Sequence, residues 1–562
     1  MDPEAIRRLI KIYALYNAYR YDGTADKGAV MSKLIGEHPE LRPVAKDISN
    51  VVPNVIDEVN NLTLQEQTKL LENYAPELLE QVTLEGGKKG LPELPNHEHV
   101  VMRFAPNPNG PPTLGSARGI VINSEYVQKY NGTFILRFDD TDPQTKRPML
   151  EAYDSYIEDC EWLRAKPDLV VIASDRMAIY YSYAEKLIKL GAAYVCTCSQ
   201  EEFKRYKEAM APCPDRDRTR EENLKLWRVM LDGLFREKEA VLRIKTDIKH
   251  KNPALRDWIC FRIINTQHPR GLECLVWPML DFESAIEDHL LNVTHILRGK
   301  DLHDSEGRQR FLYDYLGWQY PITIHWGRIS IHEFGKFSTS EIKRAIEKGM
   351  YRGWDDPKLP TICALRRRGF HPEAIRSFMV GLGVSESDIS ISLENLYAEN
   401  RKIIDLSAHR YFFVKEPVRM KIIGVTPTTA RPPLHPSSNV GFREIHVGSE
   451  VFISSGDIKF APEDVIRLKD LYNVKIMSLE PLIAEHAGDE RTRQLKIVHW
   501  APTNGLKVEV LTPEGVDDGI GEQGIASEVN NVVQFERYGF VRIDDVVKQG
   551  DETKIIAYFA HK

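Results

Sequence analysis

The chain has 562 residues, 42% of them hydrophobic and 28% charged, a composition that indicates a folded globular protein and excludes a disordered or fibrous one. Its net charge of −7 provides no general attraction to nucleic acid, so any RNA-binding face must be local. No apolar run is long enough to cross a bilayer, and the first residues, MDPEAIRRLI, lack the apolar core of a signal peptide. We therefore expect a cytoplasmic protein that makes no membrane contact.

Residues 1–95 are predicted to form a helical N-terminal domain. Apolar residues recur at helical spacing in EAIRRLIKIYALYNAYRYDG and in TLQEQTKLLENYAPELLEQV, where Thr63 and Glu66 have the spacing of a capping box. The stretch EGGKKGLPELPNHEH that follows is typical of a linker. Because this region shows no catalytic constellation, we expect a docking or RNA-contacting module.

Residues 96–330 are predicted to form an α/β domain. HVVMRFAP is typical of a strand, IVINSEYVQKY of a helix and GTFILRFDDTDP of a second strand, an alternation that indicates a parallel sheet of the Rossmann type. Strand-rich segments such as AVLRIKTDI and DWICFRII indicate an insertion at about 195–280. Helices are predicted for residues 331–400, and short alternating segments in residues 401–562 predict two β-barrels in tandem.

The loop after the first strand of this domain is a candidate ligand site. Its sequence, RFAPNPNGPPTLGSARG, runs from Arg103 to Gly119, and loops at this place in a parallel sheet commonly hold phosphate at the start of a helix. It is neither a GxGxxG nor a Walker loop, so no motif supports dinucleotide or P-loop binding. On the loop alone, a simple turn and a phosphate site stay equally open.

The seven cysteines are too few and too scattered to predict a disulfide framework. Cys196, Cys198 and Cys213 are the closest grouping and weak candidates for zinc ligands, with Asp215 as a conceivable fourth. The usual paired spacing is absent, so free thiols are favoured over bound zinc.

Three motifs together point to a known family. RFAPNPNGPPTLGSARG, LRFDDTDP and VTHILRGKDL resemble the catalytic domain of the archaeal branch of glutamyl-tRNA synthetases, which are class I enzymes. ENRKIIDLSAHRYFFVKEPV and VVQFERYGFVRIDD resemble the tandem β-barrels that bind the anticodon in archaeal glutamyl and glutaminyl enzymes. The resemblance extends over about residues 97–560 and implies that the insertion binds the tRNA acceptor end and that residues 331–400 form a connecting domain.

The resemblance implies an ATP site with two departures from the family pattern. Class I enzymes have His-Ile-Gly-His where this chain has Thr113 to Ser116, and Lys-Met-Ser-Lys-Ser where it has Lys336 to Ser340, with Thr339 replacing the second lysine. A hydroxyl can donate a hydrogen bond, but it cannot carry the positive charge of an imidazolium. By resemblance, ATP, with Mg²⁺, is bound by Pro106, Asn107, Pro108, Asn109, Gly110, Pro111, Pro112, Thr113, Leu114, Gly115, Ser116 and Lys336. The implied catalytic residues are Thr113, Gly115, Ser116, Lys336, Ser338 and Ser340.

The resemblance also implies an amino-acid pocket. Arg103 and Arg298 would supply its cationic side, Asp139 would hold the α-ammonium group, and Arg298 favours glutamate because glutaminyl enzymes have a small residue there. Leu280 aligns with a tyrosine of the family, a departure from its pattern. The implied substrate-binding residues are Arg103, Ala105, Asn107, Asp139, Leu280 and Arg298.

The implied activity is that of a glutamate–tRNA ligase acting in protein synthesis. The expected partners are L-glutamate and tRNA(Glu), with tRNA(Gln) left open, and we expect a monomer. The run Arg366 to Arg368 suggests a phosphate contact or a solvated charged face. Two alternatives stay open: a glutaminyl-tRNA synthetase of the same subfamily, and a synthetase-like RNA-binding protein that has lost adenylation.

Overall fold

A computed structural model describes residues 3–20, 23–75, 91–333, 339–437, 440–492, 494–550 and 552–562. The chain divides into two compact units, Met1–Pro92 and Glu93–Lys562. None of the described helices is long and apolar enough to span a membrane. The division between the units is near the predicted end of the N-terminal domain, while the other domain boundaries stay predictions.

The first unit is helical, as predicted. Its helices are α1 (Pro3–Arg20), α2 (Lys27–Glu37), α3 (Ala45–Asn60) and α4 (Leu64–Tyr74). The predicted capping box is confirmed: Thr63 accepts a hydrogen bond from the amide of Glu66, and the Glu66 carboxylate accepts one from the amide of Thr63 at 2.9 Å. Apolar side chains of all four helices form one core.

The helices of the second unit are numbered on in chain order. They are α5 (Leu114–Lys129), α6 (Leu150–Trp162), α7 (Met177–Leu190), α8 (Gln200–Glu208), α9 (Arg220–Leu231), α10 (Leu280–Leu290), α11 (His303–Leu316), α12 (Thr339–Glu347), α13 (Ile362–Arg368), α14 (Pro372–Leu382) and α15 (Glu394–Ile404).

The strands of its first part form three sheets. They are β1 (Val101–Phe104), β2 (Thr133–Phe138), β3 (Leu169–Ile172), β4 (Ala193–Cys196), β5 (Val241–Ile244), β6 (Ile259–Ile263), β7 (Val276–Pro278), β8 (His295–Gly299), β9 (Ile322–Trp326), β10 (Ile329–Ile331) and β11 (Ile389–Ile391).

A parallel sheet with the strand order β3-β2-β1-β8-β9 positions the site. Helix α5 returns the chain from β1 to β2, and α6 lies between β2 and β3. Strands β1 and β8 are neighbours, and the strand order reverses between them, which is where open α/β sheets bind ligands. This arrangement confirms the predicted Rossmann-type sheet.

The insertion is built around a separate antiparallel sheet. Strands β4, β5, β6 and β7 pair in that order. Helix α7 precedes β4 in the chain, and α8 and α9 lie between β4 and β5. Helix α7 ends at Gly191, whose φ of 77° is a left-handed conformation that glycine adopts without strain. Strands β10 and β11 form a parallel pair of their own.

The C-terminal part is all-β. Its strands are β12 (Arg410–Tyr411), β13 (Phe413–Lys415), β14 (Pro417–Ile423), β15 (Thr428–Ala430), β16 (Ile445–Val447), β17 (Glu450–Ser454), β18 (Val465–Leu468), β19 (Asn473–Leu479), β20 (Leu482–His486), β21 (Lys496–Val498), β22 (Trp500–Pro502), β23 (Leu506–Leu511), β24 (Val516–Gly521), β25 (Val532–Phe535), β26 (Gly539–Gln549) and β27 (Glu552–His561).

Two seven-stranded sheets account for most of these strands. One has the order β12-β25-β26-β27-β23-β24-β13, and the other has the order β21-β18-β19-β20-β14-β17-β22. Each sheet surrounds its own apolar core. The predicted tandem arrangement of β-barrels is thereby confirmed.

Candidate active site

A cavity of about 210 Å³ lies where β1 and β8 end. This volume suits a ligand smaller than the molecules that fill pockets of roughly 300–1,000 Å³. Five of the six residues predicted to bind the amino acid line it: Arg103, Ala105, Asp139, Leu280 and Arg298. The structure therefore brings together side chains that are as much as 195 positions apart in the sequence.

Asn107, the sixth of these residues, does not line the cavity. Its side-chain amide donates a hydrogen bond of 2.9 Å to the backbone carbonyl of Asp139. Its carbonyl oxygen Oδ1 is buried and has no hydrogen-bond partner among the described residues. Asn107 thus ties the loop to the backbone at Asp139, and its Oδ1 can still accept a hydrogen bond.

The floor of the cavity is a network of buried charges. Asp288 accepts hydrogen bonds from Arg103 Nε at 2.9 Å and from Arg137 Nη1 at 2.7 Å. Burial opposes its ionisation, but the two guanidinium groups prevail and lower the pKa of Asp288 to about 2. Arg137 also binds Asp139, at 2.6 Å from Nε to Oδ1, so the carboxylate predicted to hold the α-ammonium group already has a cationic partner.

Arg298 is placed differently from these paired groups. Its Nη1 donates to Gln309 Oε1 at 3.1 Å, and the hydroxyl of Tyr320 donates to the same oxygen at 2.6 Å. Its Nε is buried without a hydrogen-bond partner, and no described residue forms an ion pair with it. Burial lowers the pKa of Arg298 by more than the charges of Asp288 and Glu306 raise it. A ligand carboxylate in the cavity would supply a counter-ion.

The loop from Pro106 to Ser116 leads from the end of β1 into the first turn of α5. Thr113 caps α5, its Oγ1 accepting from the amide of Ser116 at 3.4 Å. Gly115 is exposed and Ser116 half-buried at the first turn. The loop prolines are buried: Pro106, Pro108, Pro111 and Pro112. The remaining residues predicted for ATP are the half-buried Asn109 and the buried Gly110 and Leu114. The prolines thus serve the connector, while the exposed helix start is left for a ligand.

The two predicted ATP segments meet in the structure. A Cβ atom added at Gly110 would lie 2.2 Å from Cγ2 of Thr339, the first residue of α12. Lys336 and Ser338 lie outside the described residues. Ser340 is in the first turn of α12, and its side chain also lies outside what the structure describes.

Helix α13 joins this loop to the C-terminal sheets. The amide of Leu114 donates to the carbonyl of Pro360 at 2.8 Å, and the amide of Ile362 donates to the carbonyl of Pro112 at 3.0 Å. Thr361, the N-cap of α13, forms an isolated β-bridge with Thr113. The beginning of α13 is therefore bonded to the backbone of the candidate ATP loop.

Of the run Arg366 to Arg368 at the other end of α13, for which a phosphate contact and a solvated charged face were both open, two members are bonded to other parts of the chain. Arg368 is only 1% exposed and donates to the carbonyls of Phe559 at 3.0 Å and Ala560 at 2.7 Å. Arg367 Nη2 is paired with Asp544 of β26 at 2.8 Å. A phosphate contact by Arg368 is thus wrong, because its guanidinium already satisfies buried carbonyls. Sequence shows the charge of such a run but not its burial.

The cysteine cluster proves tighter than its spacing suggested. The sulfur atoms of Cys196, Cys198 and Cys213 all lie within 4.8 Å of one another. Asp215 Oδ2 is 3.7 Å from the sulfur of Cys198 and accepts from the amide of Thr197 at 2.6 Å. Three sulfurs and a carboxylate are a donor set that fits Zn²⁺, so these four residues would hold the ion if it binds.

Sequence reasoning missed several residues of the site. Asp288, Ser284 and Gln309 belong to the charged floor or to the cavity wall, and Trp326 lines the cavity from the end of β9. The sequence of α10 contains one signal that could have pointed to Asp288. In DFESAIEDH, charged and apolar residues occur on every face of a short helix. Such a helix is buried on several sides only if its charges are paired.

Comparisons with known proteins agree with this architecture. The family model described as tRNA synthetases class I (E and Q), catalytic domain, matches residues 99–406. Two models of the anticodon-binding domain of the same family match residues 408–487 and 497–544.

The chain is also similar over its whole length to archaeal proteins. It is 56% identical to the glutamate–tRNA ligase of Methanothrix thermoacetophila, with 100% of both chains covered. It is 54% identical to the corresponding protein of Methanosarcina acetivorans and 48% identical to that of Thermococcus kodakarensis, again with 100% of each chain covered. The chain therefore belongs to the class I tRNA synthetases of the E and Q family.

Proposed function

We propose that this chain is a glutamate–tRNA ligase. It activates L-glutamate with ATP and transfers the glutamyl group to the 3′ end of tRNA(Glu). The single observation that carries the choice of amino acid is Arg298, a buried guanidinium without an ionic partner among the described residues, facing a cavity of amino-acid size.

The charge of Arg298 favours glutamate over glutamine. A buried cation that faces a neutral amide stays uncompensated, whereas a carboxylate forms a bidentate pair with a guanidinium. Arg103 cannot play the same part without reorganising the network, because Asp288 already balances its charge. The γ-carboxylate of glutamate is thus the group that we assign to Arg298.

Activation needs positioning more than a dedicated nucleophile. An oxygen of the glutamate α-carboxylate attacks the α-phosphorus of ATP, the bond from that phosphorus to the oxygen bridging to the β-phosphate breaks, and glutamyl-adenylate and pyrophosphate form. The start of α5, with Thr113, Gly115 and Ser116, is proposed to contact the triphosphate through backbone amides and hydroxyls. Lys336, Ser338 and Ser340 are proposed to contribute from the second segment. Mg²⁺, when bound with ATP, supplies charge neutralisation.

The second half of the reaction needs tRNA. A terminal ribose hydroxyl of the tRNA attacks the acyl carbon of the adenylate, and AMP leaves. The two C-terminal sheets match anticodon-binding domains, which supports tRNA(Glu) as the partner. Whether tRNA(Gln) is also charged depends on anticodon contacts. We expect the chain to act as a monomer.

Aminoacylation of purified tRNA(Glu) and tRNA(Gln), each with glutamate and with glutamine, tests this proposal. We expect glutamate to be attached to tRNA(Glu) and glutamine to neither tRNA. Charging with glutamine would instead identify the glutaminyl enzyme. A non-catalytic RNA-binding protein is the second candidate function. The observation that favours it is that the hydroxyls of Thr113 and Ser116 replace the two imidazoles of the family motif. ATP–pyrophosphate exchange at background level, with glutamate and tRNA present, would establish that alternative.

A further inference from the structure

We propose that His303, His325 and Glu386 form a binding site for a divalent transition-metal ion such as Zn²⁺, separate from the amino-acid cavity and from the cysteine cluster. One ligand atom from each of the three side chains lies within 4.8 Å of the other two. The residues come from three segments: the first residue of α11, the strand β9, and the connection between α14 and β11.

His325 is the strongest evidence for a missing partner. Its side chain is 8% exposed, and its Nε2 is buried without a hydrogen bond to any described residue. The same atom lies only 3.2 Å from Glu306 Oε2, but the two are not aligned for a hydrogen bond. A buried imidazole nitrogen is normally hydrogen-bonded, so this one, with only the carboxylate of Glu306 near it among the described residues, is available to a metal ion.

The second imidazole lies directly beside the first. The rings of His303 and His325 have centroids 3.8 Å apart with a tilt of 32° between their planes. Both line an open cavity of about 430 Å³, which gives an ion a route from solvent. His303 is exposed and can rotate about its side-chain torsions, so its nitrogen can approach to the ~2.0–2.1 Å of a zinc–nitrogen bond.

The backbone holds Glu386 against the two histidines. The amide of Gly327 donates to the carbonyl of Ser385 at 2.7 Å, and the amide of Arg328 donates to Asp388 Oδ1 at 2.7 Å. Lys300 forms an ion pair with the same oxygen of Asp388 at 2.9 Å. Because residues on both sides of Glu386 are anchored next to the end of β9, its carboxylate can reach the site without reorganisation of the segment.

The donor set selects the class of ion. Two imidazoles and a carboxylate suit Zn²⁺, Ni²⁺ or Co²⁺, whereas Mg²⁺ and Ca²⁺ prefer oxygen donors alone. Arg310 occupies Oε1 of Glu306 from Nε at 2.9 Å and leaves Oε2 facing His325. Because Oε2 lies on the same side of the imidazole as the free Nε2, Glu306 can complete the coordination as a fourth ligand.

Equilibrium dialysis of the full-length protein against Zn²⁺ tests the proposal. We expect wild type to bind about one equivalent more than His303→Ala or Glu386→Gln, because removing a direct ligand should weaken the site by at least about 10–100-fold. His332→Ala is the matched control, since His332 is also exposed but bonds Ser390 outside the cluster. Equal stoichiometry and affinity in all four proteins would overturn the proposal.

Co²⁺ spectra separate this site from the cysteine cluster. The proposed site has only nitrogen and oxygen donors, so Co²⁺ bound there should give visible ligand-field bands without a thiolate charge-transfer band. We expect those bands to disappear in His303→Ala while any thiolate band is unchanged. Anomalous diffraction at the zinc edge gives a second readout: a peak between His303 and His325 supports the site, and a peak at the cysteines alone contradicts it.

Discussion

Arg103 and Asp288 are joined by two buried hydrogen bonds, from Nε to Oδ1 at 2.9 Å and from Nη2 to Oδ2 at 3.2 Å. The pair gives Arg103 a different role from Arg298, although the sequence motifs placed both arginines on the cationic side of the amino-acid pocket. Arg103 holds the floor of the cavity, and Arg298, unpaired among the described residues, is left to meet a substrate carboxylate.

Replacing Asp288 by Asn should destabilise the protein strongly. Breaking a buried ion pair by removing one partner typically costs about 3–5 kcal/mol, because the remaining charge is left uncompensated. Urea denaturation should show a correspondingly lower unfolding midpoint. Asp314→Asn is the control, since Asp314 is exposed on α11 and should change stability by less than about 0.5 kcal/mol. Equal midpoints for the two variants would contradict the assigned role.

Asp288 should also make the protein sensitive to acid. Its pKa is about 2 in the folded chain, below the ~3.9 of an unfolded aspartate. The stability that it contributes is therefore complete above about pH 4 and is lost as the pH falls toward 2. Unfolding midpoints measured between pH 5 and pH 2 should decline more gently in Asp288→Asn than in wild type. Parallel pH profiles would show that other carboxylates dominate.

Changing Arg298 to Ala should reduce use of glutamate. Truncating one partner of a buried charge pair costs about 2–5 kcal/mol, so kcat/KM for glutamate should fall by roughly 30- to 5,000-fold, mostly through KM. The KM for ATP should stay near that of wild type. Arg298→Lys keeps the charge but loses the bidentate geometry, and an intermediate loss is expected. An unchanged KM for glutamate in the alanine variant would remove Arg298 from the substrate site.

Thr113→Ala should affect both stability and activation. Loss of an N-cap costs about 0.5–2 kcal/mol, and here it also removes a hydroxyl from the candidate ATP loop. Thr219 caps α9 in the insertion in the same manner, so Thr219→Ala supplies the matched control. Both variants should lose similar stability, and only Thr113→Ala should slow ATP–pyrophosphate exchange. A similar slowing in both would indicate a general effect of destabilisation.

Gly110→Ala should separate the two ATP segments. The added methyl group would lie 2.2 Å from Cγ2 of Thr339 and 3.2 Å from Trp354, so Thr339 at the start of α12 must shift, and the KM for ATP should rise. Thr339→Ser removes that methyl group and should restore part of the loss in the double variant. Gly381→Ala is the control, because a Cβ there has no neighbour within 4 Å. Additive effects of the two substitutions would argue against the contact.

The fold was predictable because its signals are local. Alternation of strand and helix patterns sufficed for the parallel sheet, and the capping box of α4 needed only Thr63 and Glu66. The motifs of the ATP loop, of the end of β2 and of β8 contain four of the five predicted residues that line the cavity: Arg103, Ala105, Asp139 and Arg298. Each of these motifs lies within fewer than twenty consecutive residues.

The pairing of charges could not be predicted, because it depends on distant parts of the chain. Asp288 meets Arg103 across 185 positions, and Arg368 meets the carbonyl of Phe559 across 191. Nothing in the letters around Arg368 distinguishes a buried guanidinium from a solvated one. Likewise, Asp215 was hard to judge as a fourth ligand until the fold placed it beside Cys198.

The contacts at the two ends of helix α13 affect the order in which the protein can fold during synthesis. Its first residues are bonded to Pro112, and the guanidinium at its end donates to the carbonyls of Phe559 and Ala560. These two carbonyl acceptors are absent until the ribosome has added β27. The helix that supports the ATP loop can reach its final packing only after nearly all of the chain has been translated, so a prematurely terminated chain would carry a catalytic domain with one unfinished support.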